Sequence, residues 1–175
     1  LRSSREPYLA AAEAYTRGVE RRIEAGLDPF VCSVASLFVS RWDKATADEL
    51  EGDLKNAVGI AIAERTYKAF HDFIAGERWA ELKEHGAKPQ RLLMASTGTK
   101  DPALPDSLYI TALAAPETVN TMPEKTLLAF GDHGAVDGPI PTDGGDCETV
   151  LSGATSAGID LEALAERLRL EGRES

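Results

Sequence analysis

The sequence predicts an α/β fold around a parallel sheet, because short apolar runs alternate with segments of helical periodicity. The apolar runs are residues 31–39, 91–97 and 117–122, and proline or small polar residues lie close to their ends. Strands separated by helices are joined by right-handed crossovers, which makes neighbouring strands parallel. With 175 residues, the chain is one domain or part of a larger one.

The composition excludes several classes of function. A net charge of −10 argues against non-specific binding to nucleic acid or to an anionic membrane. No apolar run reaches about 18 residues, so no membrane span is expected, and the absence of a secretory leader favours the cytoplasm. Cys32, Cys147 and the histidines lack metal-ligand spacing, so we expect no metal and no cofactor. Cys32 lies in an apolar run, and we expect it to be buried.

The chain opens with a predicted helix over residues 4–25, which Gly26 ends. A strand should precede such a helix in an alternating fold, so the sequence reads as the later part of a longer protein. We interpret the two tyrosines on its apolar face as packing residues. The apolar positions, spaced three and four apart, are Tyr8, Ala12, Tyr15, Val19 and Ile23.

Two helices are predicted between the first and second strands. Thr46 and Glu49 fit a capping box, which predicts a helix that begins after Thr46 and runs to about Ala75. A shorter helix should follow over residues 77–85, and Gly86 should end it.

The second strand leads into an irregular loop, residues 98–105, which contains a glycine and two prolines. Residues 107–113 are either a short helix or an extended connection. After the third strand, Pro123 suits the first turn of a helix that continues through Phe130.

The C-terminal part is predicted to hold a surface loop and two helices. Residues 134–146 are rich in glycine and proline, which is typical of a loop. A short helix is predicted over residues 147–156. Asp160 should cap the last helix, and Gly172 should close it.

Two of the predicted strand ends offer a hydroxyl and a cation. Arg41 follows the first strand, while Ser96, Thr97 and Lys100 follow the second. The carboxyl ends of parallel strands gather their loops at one edge, where α/β proteins place their chemistry. Arginine can grip a phosphate with two N–H groups, and lysine acts as a point charge. These residues therefore predict one phosphate site built from two loops. The alternative is that Arg41 and Lys100 are surface charges, with Arg41 in a structural contact with Asp43 or an aromatic ring.

Several motifs resemble bacterial transaldolases, particularly the actinobacterial type. PQRLLMASTGTKDP at residues 89–102 is similar to the seventh strand of that family and its loop. TVNTMP at residues 118–123 resembles the eighth strand and the start of the next helix, and SLFVSR at residues 36–41 resembles the end of the sixth strand. EAYTRG at residues 13–18 resembles the helix before it. The similarity extends over about residues 8–168.

The resemblance implies that residues 1–175 are the C-terminal portion of a (β/α)8 TIM barrel, covering about strands 6 to 8 and their helices. Transaldolases act in the pentose phosphate pathway, where they transfer a dihydroxyacetone unit between sugar phosphates through a Schiff base on a lysine. The implied substrates are fructose 6-phosphate, sedoheptulose 7-phosphate, erythrose 4-phosphate and glyceraldehyde 3-phosphate.

The resemblance also implies roles for individual residues. Asn120 and Thr121 could equally well cap the helix that starts at Pro123. The implied phosphate contacts are Ser36, Arg41, Ser96 and Lys100, and the implied pocket-lining residues are Phe38, Asn120 and Thr121.

The family's Schiff-base lysine motif, on its fourth strand, has no counterpart in this sequence, and the family's catalytic carboxylates lie on earlier strands. Lys100 does not replace that lysine, because the adjacent Asp101 favours its charged form. We therefore expect the lysine to come from an N-terminal half, on another chain, on a partner protomer or on a preceding part of the same protein. The alternative is a catalytically inactive fragment that binds sugar phosphates.

Overall fold

The structure of the chain is a computed structural model that describes residues 5–99 and 101–174, without the side chains of residues 173 and 174. Its sheet consists of β1 (Val34–Phe38), β2 (Arg91–Ala95) and β3 (Thr118–Asn120), in the order β1-β2-β3. Both pairs of neighbouring strands are parallel, which confirms the predicted α/β class.

Helices precede and follow each strand along the chain, and a 3-10 turn over Gly52–Leu54 precedes the longest helix between β1 and β2. No described helix is long and apolar enough to span a membrane. The helices of the described residues are α1 (Arg5–Glu24), α2 (Ser40–Thr46), α3 (Val58–Ile74), α4 (Glu77–Glu84), α5 (Leu108–Ala112), α6 (Glu124–His133), α7 (Cys147–Ser156) and α8 (Leu161–Glu174).

The two faces of the sheet have different surroundings. Side chains alternate between the faces along a strand, and residues paired in parallel register share a face. Leu92 and Met94 of β2 lie on the helix-covered face, where they are 1% and 0% exposed. Ser36 and Phe38 of β1 lie on the opposite face, and Phe38 is 43% exposed. The open face of β1 is therefore the one that carries the predicted site residues.

The apolar core forms two clusters, and α3 contributes to both. Tyr67 and Phe70 of α3 belong to the first cluster, which also contains the buried ring of Trp79 from α4. Val58 and Ile62 of α3 belong to the second cluster, together with residues of α2, α7 and α8. The helix thus connects the packing beneath the sheet to the packing under the C-terminal helices.

The predicted capping box at Thr46 is wrong. Thr46 ends α2, and its hydroxyl donates back to the carbonyl of Trp42 at 3.1 Å, a bond within the preceding turn. A helix does not continue from there, because Gly52 and Asn56 both adopt positive φ values, of 58° and 59°. The helix that was expected from residue 47 begins at Val58 instead.

Other boundaries also differ from the predictions. β1 begins at Val34, so Cys32 lies before the strand and is exposed rather than buried. Gly172 lies inside α8, which runs on to Glu174, so glycine does not end this helix. The segment after the second loop is the helical alternative, α5. The predicted α1, α4, α6 and α7 are confirmed.

Glu64 of α3 gives the stability of the fold a pH dependence. Burial, followed by repulsion from Asp146, raises the pKa of Glu64 from 4.5 to about 7. Because the folded pKa lies above the unfolded one, the stabilisation is complete below about pH 4.5 and is lost as the pH rises through 7. We expect Glu64→Gln to raise the urea midpoint at pH 8 but to leave it nearly unchanged at pH 4.5. Glu84→Gln, at an exposed site of α4, is the control. If the urea midpoints of wild type and Glu64→Gln change with pH in parallel, this assignment is contradicted.

Candidate functional site

The carboxyl ends of the three strands are tied together by hydrogen bonds. The backbone N–H of Ser40 donates to the carbonyl of Ser96 at 3.1 Å, which joins the ends of β1 and β2. The N–H of Thr121 donates to the carbonyl of Met94 at 3.0 Å, and the hydroxyl of Thr97 donates to the carbonyl of Thr121 at 2.6 Å. The residues that follow the strands therefore form one continuous rim, which we call the strand-end rim.

Arg41 lies on this rim because α2 begins immediately after β1. The guanidinium carbon of Arg41 is 4.2 Å from the centroid of the Phe38 ring, within the range of a cation–π contact. Asp43 accepts hydrogen bonds from Gly59 and Tyr109 and forms no ion pair with Arg41, so of the two structural alternatives the aromatic contact is present. Within residues 5–99 and 101–172, no carboxylate forms a salt bridge with Arg41, although Glu162 and Glu166 line the same cavity.

Ser36, Phe38 and Arg41 line one cavity of about 520 Å³. Its walls come from the first turns of α1, from β1, from the start of α2 and from α8, which contributes Leu168 and Gly172. The cavity therefore offers hydroxyls, aromatic rings and the guanidinium groups of Arg41 and Arg169, together with the carboxylates of Glu162 and Glu166. Of the described residues that line it, none is a lysine.

Ser96 holds an unusual backbone conformation at the end of β2. Its φ of 54° lies in the left-handed region, which costs a non-glycine residue roughly 1–2 kcal/mol. Strain of this kind is concentrated at functional sites, where the surrounding structure maintains it. Ser96 does not line the described part of the cavity, and its connection to the site is the backbone bond to Ser40.

Lys100 lies outside the described residues, so its phosphate contact stays a prediction. The loop is anchored on both sides of that position. A Cβ on Gly98 would lie 3.1 Å from the ring of Pro123, which shows how closely the two backbones approach. The carboxylate of Asp101 accepts from the side chain of Asn56 at 3.3 Å and from the N–H of Ala103 at 2.9 Å.

Asn120 and Thr121 have structural partners. Asn120 pairs with Met94 in the sheet and therefore shares the helix-covered face, opposite to that of Ser36, and its amide donates to the carbonyl of Tyr109 at 3.3 Å. The hydroxyl of Thr121 donates to the carbonyl of Met94 at 3.1 Å. No side chain caps α6, so the capping alternative is wrong for both residues. Contact with a substrate stays a prediction for both residues, and the face on which Asn120 lies counts against it.

Sequence reasoning missed a buried carboxylate, Asp43, which is 2% exposed. Its Oδ2 accepts from the hydroxyl of Tyr109 at 2.6 Å, and its Oδ1 accepts from the N–H of Gly59 at 2.7 Å. Burial raises the pKa of Asp43, and these hydrogen bonds partly oppose that effect. The only local signal was an aspartate in the first turn of the helix that follows a strand end, because both partners are distant in sequence.

Comparisons with known proteins bear on this site. The family model described as transaldolase/fructose-6-phosphate aldolase matches residues 3–175. A transaldolase of Parafrankia sp. is 44% identical over 94% of this chain and 47% of its own length. Transaldolases of Acidothermus cellulolyticus and Neisseria meningitidis serogroup A are 44% and 39% identical, over 95% and 97% of this chain. The chain thus spans about half the length of these curated relatives.

Proposed function

Because this chain belongs to the transaldolase/fructose-6-phosphate aldolase family, we propose that it supplies the phosphate-binding side of a transaldolase site. The complete site transfers a dihydroxyacetone unit between sugar phosphates through a Schiff base. The observation that carries this proposal is the position of Arg41, over the ring of Phe38 and in one cavity with Ser36. In this proposal β1, β2 and β3 are strands 6, 7 and 8 of a (β/α)8 barrel.

The contact between Arg41 and Phe38 prepares the guanidinium for a phosphate. The guanidinium carbon lies 4.2 Å from the ring centroid, and a guanidinium held over a ring can still direct N–H groups to a phosphate. Hydrogen bonds from a charged donor contribute roughly 1.5–3 kcal/mol, more than those between neutral groups. A phosphate held here fixes the distance from the rim to the reacting carbon of the sugar, which is the positioning that Schiff-base chemistry requires.

In this proposal the lysine nucleophile lies outside residues 1–175. No lysine is among the described residues of the cavity, and the relatives are about twice as long as this chain. We propose that an N-terminal half, on a preceding part of the same protein, on a separate chain or on a partner protomer, provides the lysine and the acid/base carboxylates. The same two observations favour the second candidate function, a catalytically inactive chain that binds sugar phosphates.

Borohydride trapping with fructose 6-phosphate separates the two functions. This chain alone should give no covalent adduct. When the chain is mixed with a separately produced N-terminal half of the Parafrankia transaldolase, the adduct should form on the added half. If the mixture binds fructose 6-phosphate without any adduct, the inactive alternative is supported. An adduct at Lys100 would show that its assignment as a phosphate partner is mistaken.

Arg41→Ala should weaken the binding of fructose 6-phosphate to the chain about 30-fold, since about 2 kcal/mol of charge-assisted bonding is lost. Isothermal titration calorimetry measures the change. Lys44→Ala is the matched control, because Lys44 is an exposed cation of the same helix and does not line the cavity of about 520 Å³. The control should bind within about twofold of wild type. Equal losses in the two variants would indicate a general charge effect instead of a specific contact.

A further inference from the structure

We propose that Asp43 is a positioning residue for Arg41: bound to Tyr109 and Gly59, it fixes α2 so that the guanidinium stays over Phe38. The role of Arg41 in binding phosphate belongs to the proposed function, on which this inference rests. The argument concerns a carboxylate that does not line the cavity of Ser36 and therefore acts through the helix.

The short helix α2 needs an anchor beyond its own backbone. It has seven residues, and Val39 at its N-cap position provides no side-chain hydrogen bond. A helix of this length is not stable by itself, because its nucleation is costly. Its contacts with its surroundings, such as the bond from Ser40 to Ser96 and the buried ring of Trp42, must hold it in place.

Asp43 attaches α2 to two other helices. Its Oδ1 accepts from the N–H of Gly59 in α3 at 2.7 Å, and its Oδ2 accepts from the hydroxyl of Tyr109 in α5 at 2.6 Å. Asp43 is 2% exposed, although it lines a second cavity of about 290 Å³ together with Tyr109, and each bond restrains the direction of the helix.

The backbones of α2 and α3 approach closely at the same point. A Cβ on Gly59 would lie 2.7 Å from the carbonyl oxygen of Val39 and 2.8 Å from Oδ2 of Asp43. Glycine therefore allows the start of α2 to lie directly against α3. The hydrogen bonds of Asp43 and this close approach determine one relative position of the two helices.

The spacing of Arg41 and Asp43 couples their positions. Each residue of an α-helix turns by about 100°, so two residues along the helix differ by roughly 200° and lie on opposite sides. Asp43 faces the buried side, where its partners are, while Arg41 faces the cavity that contains Phe38. A rotation of α2 that breaks the bonds of Asp43 therefore also moves the guanidinium away from the ring.

The position of Arg41 can be measured without a ligand. The ring current of Phe38 shifts the nuclear magnetic resonance signal of the Arg41 Nε–H, which is assigned by its loss in Arg41→Lys. Phe38→Leu gives the reference position without a ring. We expect Tyr109→Phe to move the signal toward this reference and Asp43→Ala to move it further. We also expect these two variants to bind fructose 6-phosphate about threefold and about tenfold more weakly than wild type.

Two further variants distinguish positioning from a loss of fold. Asp43→Asn should retain the signal, because its amide can still accept from Gly59 and donate to the oxygen of Tyr109. Tyr15→Phe is the matched control: it also removes a tyrosine hydroxyl, one that donates to the carbonyls of Val31 and Lys88 at 2.8 Å each. Both bonds lie before the strands, at the other end of the sheet, so the Arg41 signal should not move.

An unchanged Arg41 signal in Tyr109→Phe, with circular dichroism like that of wild type, overturns the proposal. This variant is also decisive if Asp43→Ala does not fold, because the ring of Tyr109 is kept. The proposed function is tested separately. If wild type does not bind fructose 6-phosphate but the signal still depends on Tyr109, then the phosphate site is wrong and the positioning role of Asp43 is supported.

Discussion

Gly59→Ala is expected to destabilise the folded chain by about 3 kcal/mol, a typical cost of forcing a methyl group into closely packed structure. The added Cβ would lie 2.7 Å from the carbonyl oxygen of Val39, which is backbone, and 3.2 Å from Cγ of Asp43. The first neighbour is backbone and the second is a carboxylate held by hydrogen bonds from Gly59 and Tyr109, so α2 and α3 would have to separate. In an ordinary helix interior the same substitution stabilises by about 1 kcal/mol, so the sign of the effect is diagnostic.

Urea unfolding, followed by tryptophan fluorescence, measures the effect of Gly59→Ala. Gly18→Ala provides the matched control, because Gly18 lies inside α1 and a Cβ there meets no atom within 4 Å. We expect this control to gain about 0.5–1 kcal/mol of stability. If the two variants shift the urea midpoint in the same direction, α2 and α3 do not approach each other as closely as described.

Glu148→Ala is expected to lower the free energy of unfolding by about 2–3 kcal/mol, because it leaves a buried guanidinium without its partner. The side chain of Arg65 is 5% exposed, and its Nε and Nη2 donate to Glu148 at 2.7 and 2.6 Å. Its Nη1 already lacks a hydrogen-bond partner. The side chain of Glu148 is itself 65% exposed, so water can take over part of its role, and we place the cost below the usual range for a fully buried pair.

A second substitution should recover most of that loss. Arg65→Met combined with Glu148→Ala removes the buried charge together with its partner, and such replacements are often neutral or stabilising. Asp72→Ala is the control, since Asp72 pairs with Lys68 on the surface, where both side chains are at least 44% exposed. Asp72→Ala should lower the free energy of unfolding by less than about 1 kcal/mol. Similar losses for Asp72→Ala and Glu148→Ala would mean that the burial of Arg65 does not matter.

Local patterns were sufficient to predict the sheet and most of the helices. Three apolar runs separated by helical segments predict parallel strands, because each strand and helix carries its own periodicity. The start of α2 was not predictable in the same way, since Val39 at its N-cap has no capping side chain. The hydroxyl of Thr46 can either cap a following helix or donate to a carbonyl of the preceding turn. Because Gly52 and Asn56 adopt positive φ values, no helix continues after Thr46, and the hydroxyl donates to the carbonyl of Trp42.

The candidate site was predictable only where its residues are close in sequence. Ser36, Phe38 and Arg41 lie within one strand and the turn after it, and the resemblance to transaldolases associated them through the single motif SLFVSR. Asp43 depends on Gly59 and Tyr109, which are 16 and 66 residues away in the chain. No spacing rule relates such positions, and only the packing of α2 against α3 and α5 brings them together.

The position of α3 in both core clusters makes the described part of the chain one cooperative unit. Tyr67 and Phe70 of α3 pack in the first cluster, and Val58 and Ile62 of the same helix pack in the second. Neither cluster can therefore unfold without exposing the helix on which the other cluster packs. A phosphate held by Arg41 would therefore raise the thermal midpoint of the whole unit rather than that of a single loop.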